Sequence, residues 1–150
     1  MATLRIEGAE IITMAGAARV ECGWTLEAVD GAISYVGPAE GLQPAAEPDE
    51  LIDGSGCLLL PGFVNAHTHA AMTLFRGAAD DMPLDPWLRE RIWPVEARLT
   101  EDDIYWGTML GIAEMLRAGV TCFNDMYHMA RVGTRAAEDA GIRMLSLIHI

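Results

Sequence analysis

The chain has 150 residues and a formal net charge of −12, and 51% of its residues are hydrophobic. This apolar fraction predicts a packed core rather than disorder, and the acidic surface argues against nucleic acid or an anionic membrane as a partner. The three cysteines include no C-x-x-C pair, and the sequence shows neither a basic and apolar leader nor an apolar run of membrane-spanning length. Together these features predict a cytoplasmic protein.

Residues 1–57 show the pattern of a small antiparallel β-module. The segments expected to be extended are 4–6, 11–13, 24–29 and 32–36. The last two flank Asp30-Gly31, a dipeptide typical of a tight hairpin turn. A polar loop at 41–48 and a turn at 53–56 complete the expected module.

From residue 58 onward the pattern changes to alternating strands and helices. The expected elements are a helix that begins after a Thr100 cap and ends before Gly119, a strand at 120–124 followed directly by Asp125, and a helix at 130–140 that ends at Gly141. Methionines on the first helix are expected to fill the core. Such alternation predicts a parallel β/α architecture.

Two histidines, His67 and His69, follow an apolar run that starts at Leu58. Residues two apart in a strand point to the same face, so both imidazoles are expected to project into one space at the end of this strand. Neutral imidazole nitrogens are ligands that zinc or iron accepts. The alternative is that these are two partly exposed histidines without a metal.

Three motifs together carry a family resemblance. They are P-G-F-V-N-A-H-T-H at 61–69, M-T-L-F-R-G at 72–77 and W-P-V-E at 93–96. The chain resembles the amidohydrolase superfamily and, within it, the 5-methylthioadenosine/S-adenosylhomocysteine deaminases, from about residue 30 to about residue 143. The resemblance implies an α/β fold in which residues 58–144 start a (β/α)8 TIM-type barrel, preceded by a small antiparallel β-sandwich module.

The resemblance also implies a site. His67 and His69 would be two ligands of one divalent metal, zinc or alternatively iron, which activates water for attack on C6 of an adenine ring and release of ammonia. Glu96 would hold the ribose hydroxyls of a small-molecule nucleoside; the other interpretation of Glu96 is a solvated acid in a loop. The groups that complete the metal site and transfer protons in the family lie beyond this chain, so no catalytic residue is assigned here.

Three further aromatic residues lie near these motifs. Trp87 and Trp93 are expected either to line the nucleoside pocket or to anchor a loop by burial. His128 is expected to be a surface histidine in the loop after the second barrel strand. The substrate is left open among methylthioadenosine, S-adenosylhomocysteine and adenosine. A homo-oligomer of the full-length protein is possible as well.

A barrel of this type needs about 250 residues, and only about 90 follow Leu58 in this sequence. We therefore expect the chain to be an N-terminal fragment that is inactive by itself. The alternatives are a different amidohydrolase, such as a triazine chlorohydrolase or guanine deaminase, a non-catalytic metal-binding module, and a truncated reading frame without activity.

Residues 145–150 form a hypothesis of their own. Their sequence, L-S-L-I-H-I, is the in-frame translation of a transposon mosaic end that serves as a sequencing adapter. The alternative is a genuine third barrel strand, because an apolar strand is due after Gly141. On the adapter interpretation, His149 is not a metal ligand and receives no role.

Overall fold

The computed structural model describes residues 2–16, 19–44 and 47–146. The chain divides into two compact units, Met1–Pro61 and Gly62–Ile150. Of the proposed adapter-derived tail, Leu145 and Ser146 belong to the described residues, whereas the rest of it, including His149, lies outside them. The adapter origin of the tail stays a prediction.

The described part of the N-terminal unit contains six short strands. They are β1 (Thr3–Glu7), β2 (Glu10–Ile11), β3 (Trp24–Val29), β4 (Ala32–Pro38), β5 (Glu50–Asp53) and β6 (Leu58–Leu59). Four of them form a sheet in the order β4-β3-β1-β5, and β2 pairs with β6 separately. A 3-10 helix, Ala39–Gly41, follows β4.

The prediction that this module is antiparallel is correct only in part. The hairpin is confirmed: β3 pairs antiparallel with β4 and with β1, and both Asp30 and Gly31 have positive φ angles, of 50° and 78°. However, β5 runs parallel to β1 and β6 runs parallel to β2, so the module is mixed. The sequence did not indicate β5, because the segment E-L-I-D shows no alternation of polar and apolar residues. In the structure all four residues are exposed, and the pairing with β1 defines the strand.

A buried ion pair crosses the four-stranded sheet. Arg5 on β1 lies opposite Glu27 on β3 in the strand register. Its guanidinium donates to Glu27 Oε2 from Nη2 at 2.8 Å and from Nε at 3.1 Å. Ser34 donates its hydroxyl proton to the other carboxylate oxygen, Oε1, at 3.3 Å. Because a buried charge is costly unless it is paired, these bonds favour this register over any slipped one.

The C-terminal unit combines parallel strands with helices. Its described elements are β7 (Phe63–Thr68), a 3-10 helix (Ala70–Phe75), α1 (Leu84–Pro86), a π-helical turn (Trp87–Ile92), α2 (Trp93–Glu96), α3 (Glu101–Arg117), β8 (Val120–Asp125), α4 (Ala130–Ala140) and β9 (Arg143–Ser146). The strands form a parallel sheet in the order β7-β8-β9. The apolar run from Leu58 is two strands rather than one, since Pro61, which has no N–H donor, lies between β6 and β7.

The predicted helices of this unit are confirmed. Thr100 caps α3: its Oγ1 accepts the N–H of Asp103 at 3.3 Å, and the Asp103 carboxylate accepts the N–H of Thr100 at 2.8 Å. Gly141 ends α4 with a φ of 71°, a left-handed conformation that favours glycine. The two helices pack against β8, where Phe123 is fully buried beside Ile112.

Membrane insertion has no support in the described helices. None of them is both long enough and apolar enough to cross a bilayer. The longest, α3, has 17 residues and carries three acidic residues in its first turn.

The buried hydroxyl of Thr108 on α3 yields a stability prediction. Its side chain is 1% exposed, and its hydroxyl has no hydrogen-bond partner within the described residues. An unsatisfied buried hydroxyl costs on the order of 1 kcal/mol or more. We therefore expect Thr108→Val to raise the free energy of unfolding by about 1 kcal/mol in urea denaturation.

Thr73→Val is the matched control, because its hydroxyl donates to the backbone oxygen of Gly107 at 2.7 Å. This substitution should lower the free energy of unfolding by about 1 kcal/mol. Equal destabilisation by both substitutions would contradict the assignment of Thr108 as unsatisfied.

Candidate functional site

A β-bulge lies near the end of β7. Asn65 pairs with Phe123 on β8, and Thr68 pairs with Asp125, so three steps along β7 correspond to two steps along β8. The extra residue falls at 66–67. Bulges re-aim side chains next to functional sites, and here the bulge sets the direction in which His67 leaves the strand.

The backbone groups that the bulge takes out of the ladder have side-chain partners. The N–H of His67 donates to Asn65 Oδ1 at 3.3 Å. Asn124 Nδ2 donates to the carbonyl oxygen of Ala66 at 3.0 Å. Two asparagines, one on each strand, therefore stabilise an irregular backbone that would otherwise leave polar groups without partners.

The two predicted ligand residues lie side by side. The ring centroids of His67 and His69 are 5.2 Å apart, with the ring planes at 84° to each other, and both residues are exposed. The expectation that they share one space agrees with this geometry, but strand alternation is not the reason. His67 lies within the bulge, and His69 lies one residue beyond the strand, with φ −126° and ψ 73°.

One ring nitrogen of His69 is already bonded. Its Nδ1 lies 2.7 Å from the carbonyl oxygen of Met126, just beyond β8. Because a carbonyl oxygen only accepts, this contact requires a proton on Nδ1, and in a neutral imidazole that leaves the lone pair on Nε2. An imidazole held in this way by an outer partner is typical of metal-ligating histidines.

Asp125, the last residue of β8, lies behind this turn. It is 4% exposed, and its Oδ1 accepts the N–H of Ala70 at 2.9 Å. Burial raises the pKa of Asp125, while the hydrogen bond from Ala70 and the nearby His69 act in the opposite direction.

Glu96 is the last residue of α2, and its carboxylate is mostly buried. The side chain is 11% exposed, and Oε1 accepts the hydroxyl proton of Tyr127 at 2.7 Å. The nearer imidazole nitrogen of His128, Nε2, lies 3.6 Å from Oε2. The interpretation of Glu96 as a solvated loop acid is therefore wrong, because helix α2 and Tyr127 hold it inside.

Tyr127 connects the two halves of the site, and the sequence analysis gave it no role. Its ring centroid lies 6.1 Å from that of His69 and 5.0 Å from that of His128. Burial raises the pKa of Tyr127 well above its usual range, and the hydrogen bond to Glu96 adds to this. The one available signal was its position two residues after a strand that ends at the same edge as the histidines.

The other aromatic candidates lie at the surface. The His128 side chain is 64% exposed, as expected for a loop histidine. Trp93 is 46% exposed and lies under the guanidinium of Arg89, 5.5 Å from the ring centroid. Trp87 is half-buried and lines an open cavity with Met82. Neither tryptophan is a fully buried loop anchor.

The donor set of this edge partly fits a metal. His67 and His69 offer two neutral nitrogen ligands of the kind that zinc and iron accept. No group of three or more His, Cys, Asp or Glu side chains within the described part of the chain is arranged to hold a metal ion. Two ligands leave a four-coordinate site incomplete, so any such metal needs further ligands.

Residues 58–147, which contain this site, match the amidohydrolase family. The chain belongs to the amidohydrolase family. The resemblance stated from its motifs is thereby confirmed, and the histidine pair of β7 lies inside the matched region.

Individual relatives match three quarters or more of the chain. It is 49% identical over 146 residues to the 5-methylthioadenosine/S-adenosylhomocysteine deaminase of Desulforamulus reducens, which covers 97% of this chain and 34% of that protein. It is 51% identical over 113 residues to a 5′-deoxyadenosine deaminase of Methanoregula boonei, covering 75% of this chain and 26% of that protein.

A solved structure shows the same relation. The adenosine deaminase from Xanthomonas campestris with bound zinc matches with a TM-score of 0.90 and 39% identity, over 96% of this chain and 33% of that chain. The mixed α/β fold described above is thus shared with an amidohydrolase deaminase. This chain spans about a third of the length of such relatives.

The contact between Tyr127 and Glu96 yields a stability prediction. Tyr127→Phe removes the donor from a carboxylate that is 11% exposed. Hydrogen bonds to charged groups contribute about 2 kcal/mol. We therefore expect the free energy of unfolding, measured by chemical denaturation at neutral pH, to fall by about that amount. Tyr105→Phe is the control: that hydroxyl donates to Asp139 at the surface, and its loss should cost less than about 1 kcal/mol.

The stability difference between the wild type and the Tyr127→Phe variant should also depend on pH. The folded-state pKa of Tyr127 is raised, so its contribution is complete below the ordinary tyrosine pKa of about 10. Above that pH the unfolded chain ionises and the folded one does not, so the wild type loses stability that the Tyr127→Phe variant cannot lose. The stability difference between them should narrow as the pH rises; a constant difference would contradict the raised pKa.

Proposed function

We propose that this chain is part of a metal-dependent aminohydrolase that converts an adenosine-type nucleoside and water to the inosine analogue and ammonia. The single observation that supports this most is the 49% identity to a 5-methylthioadenosine/S-adenosylhomocysteine deaminase across 97% of the chain. Both methylthioadenosine and S-adenosylhomocysteine are proposed substrates. Because the chain spans about a third of that relative, the activity belongs to the longer protein.

The proposed architecture is a (β/α)8 barrel preceded by a β-module. Residues 58–144 would supply the first β/α units of the barrel and residues 1–57 part of the module. Support comes from the order β7-β8-β9, in which sequential parallel strands are neighbours and are joined through helices. Barrel enzymes of this kind carry out their chemistry at the carboxyl ends of the strands, and His67 lies at that end of β7.

His67 and His69 would hold one divalent metal, zinc first and iron as the alternative. Their side-by-side rings support this, because ring nitrogens of both residues can face one ion. The hydrogen bond at His69 Nδ1 supports it as well, because it leaves the Nε2 lone pair for a metal. The chemistry that such a metal supplies is the activation of water at neutral pH. This chain supplies no group that we assign to proton transfer.

Glu96 would bind the ribose. A carboxylate that accepts from two vicinal hydroxyls selects a sugar diol, and burial strengthens such bonds. Tyr127 donates to Oε1 at 2.7 Å, whereas Oε2 accepts no hydrogen bond within the described residues and lies 3.6 Å from His128 Nε2. Glu96 would therefore contribute binding and orientation rather than chemistry.

The direct test is an assay of the longer protein. The source DNA is sequenced across codon 144 with adapter sequence excluded, and the complete frame is expressed with zinc. We expect ammonia release from methylthioadenosine and S-adenosylhomocysteine, no ammonia from guanine and no chloride from atrazine. His67→Ala should abolish both activity and bound zinc. Deamination of guanine, or activity that survives this substitution, would contradict the proposal.

Glu96→Gln tests the ribose contact. In the active protein this change keeps one acceptor but loses the charge, so we expect KM for methylthioadenosine to rise about tenfold to a hundredfold. The KM for the 2′-deoxy analogue should rise less, because this analogue keeps only one of the two hydroxyls that Glu96 would bind. Glu114→Gln is the control, since Glu114 pairs with Arg76 at the surface and should not affect KM. An equal rise for both substrates would show that Glu96 does not read the diol.

A further inference from the structure

Asp125, the last residue of β8, and Met126, which follows it, are hydrogen-bonded to three consecutive residues at the end of β7 and just beyond it. The N–H of Met126 donates to the carbonyl oxygen of Thr68 at 3.0 Å. The carbonyl oxygen of Met126 contacts His69 Nδ1 at 2.7 Å, and Asp125 Oδ1 accepts the N–H of Ala70 at 2.9 Å. His69 therefore lies between two residues whose backbone groups are both bonded to the same short segment.

We propose that Asp125 is a positioning residue for His69: by holding the Ala70 amide, it fixes the His69 backbone so that the ring bonds to Met126 through Nδ1 and presents Nε2 outward. Asp125 does not touch a metal or a substrate in this assignment. It acts through the turn.

The backbone of His69 needs such a support. Its φ of −126° and ψ of 73° belong neither to a regular strand nor to a helix. Ala70 begins a 3-10 helix, so its N–H has no acceptor within that helix. The Asp125 carboxylate supplies the acceptor. The peptide between His69 and Ala70 is then bonded on both sides, because its carbonyl oxygen accepts the N–H of Met72 at 2.9 Å and its N–H donates to Asp125.

Burial makes this support rigid. Asp125 is 4% exposed and Ala70 is 2% exposed, so water competes little for their hydrogen bond. Gly133 on α4 packs behind the carboxylate, where even an added Cβ would lie only 3.9 Å from Asp125 Oδ2. Asp125 is thus enclosed and has little freedom to release the amide.

His67 provides an internal reference. Its ring makes no hydrogen bond within the described residues, whereas the ring of His69 is bonded. The positioning role predicts that only His69 has a fixed tautomer. This inference deepens the proposed metal site, but it concerns the protein without metal or substrate, so it stands or falls separately from deaminase activity.

The test is the tautomer of each histidine in the complete ¹⁵N-labelled protein without metal, from long-range ¹H–¹⁵N spectra at about pH 8, above the ordinary histidine pKa of about 6.5. In the wild type we expect His69 in the Nδ1–H form and His67 averaged between both forms. In Asp125→Ala the shifts of His69 should become averaged like those of His67, and the Ala70 amide should lose its protection from hydrogen exchange. Asp125→Ser, which keeps a polar group but is too short to reach the amide, carries the same expectation if the alanine variant does not fold.

Asp125→Asn is the conservative rescue. It keeps an acceptor in the same place, so His69 should stay in the Nδ1–H form, while Ala70 exchanges about fivefold faster because a neutral acceptor is weaker. Asp103→Ala is the matched control, since it removes an acidic acceptor from the cap of α3 and should leave His69 unchanged.

Three results would overturn the proposal. The first is a fixed Nδ1–H form that persists in Asp125→Ala or Asp125→Ser. The second is an averaged ring in Asp125→Asn, which would show that the acceptor position is not sufficient. The third is loss of the fixed form in Asp103→Ala, which would show that general destabilisation alone releases the ring.

Discussion

The candidate site depends on one constraint: the backbone from Ala66 to Ala70 leaves its strand irregularly, and its polar groups still need partners. Side chains of β7 and β8 and the backbone of Met126 supply those partners. The carbonyl oxygen of Ala66 is bonded by Asn124, and the N–H of Ala70 by Asp125. Because each of these groups comes from one of two paired strands, the direction of the histidines follows from the pairing of the sheet.

The elements that local sequence determines were predictable. A Thr cap and a terminal glycine defined α3 and α4, and Asp30-Gly31 defined the hairpin, because each acts within a few residues. The parallel pairing of β5 with β1 was not predictable, since the two strands are more than 40 residues apart and β5 has no alternation to read. Long-range register is set by tertiary contacts that no local pattern carries.

The same distinction applies inside the site. The position of His67 and His69 followed from the sequence, but the bulge that orients them is a property of the register between β7 and β8. Glu96 was noticed only through a family motif, because its partner Tyr127 is 31 residues away. Burial of a carboxylate by a distant phenol leaves no mark on the local pattern around the carboxylate, which is why that pattern, without the family motif, favours a solvated acid.

The two histidines differ in the freedom that they would lose on binding a metal. The contact of His69 Nδ1 with Met126 favours one ring orientation and the Nδ1–H tautomer. The ring of the exposed His67 has no hydrogen-bond partner within the described residues, and only its backbone N–H is bonded to a side chain. Immobilising a free side chain costs about 0.5 to 1.5 kcal/mol, so a metal ligand set built on this pair would begin from His69 and recruit His67. Preorganisation at this edge of the sheet is therefore concentrated in His69, and it is provided by Asp125 at the end of β8 and by Met126, which follows it.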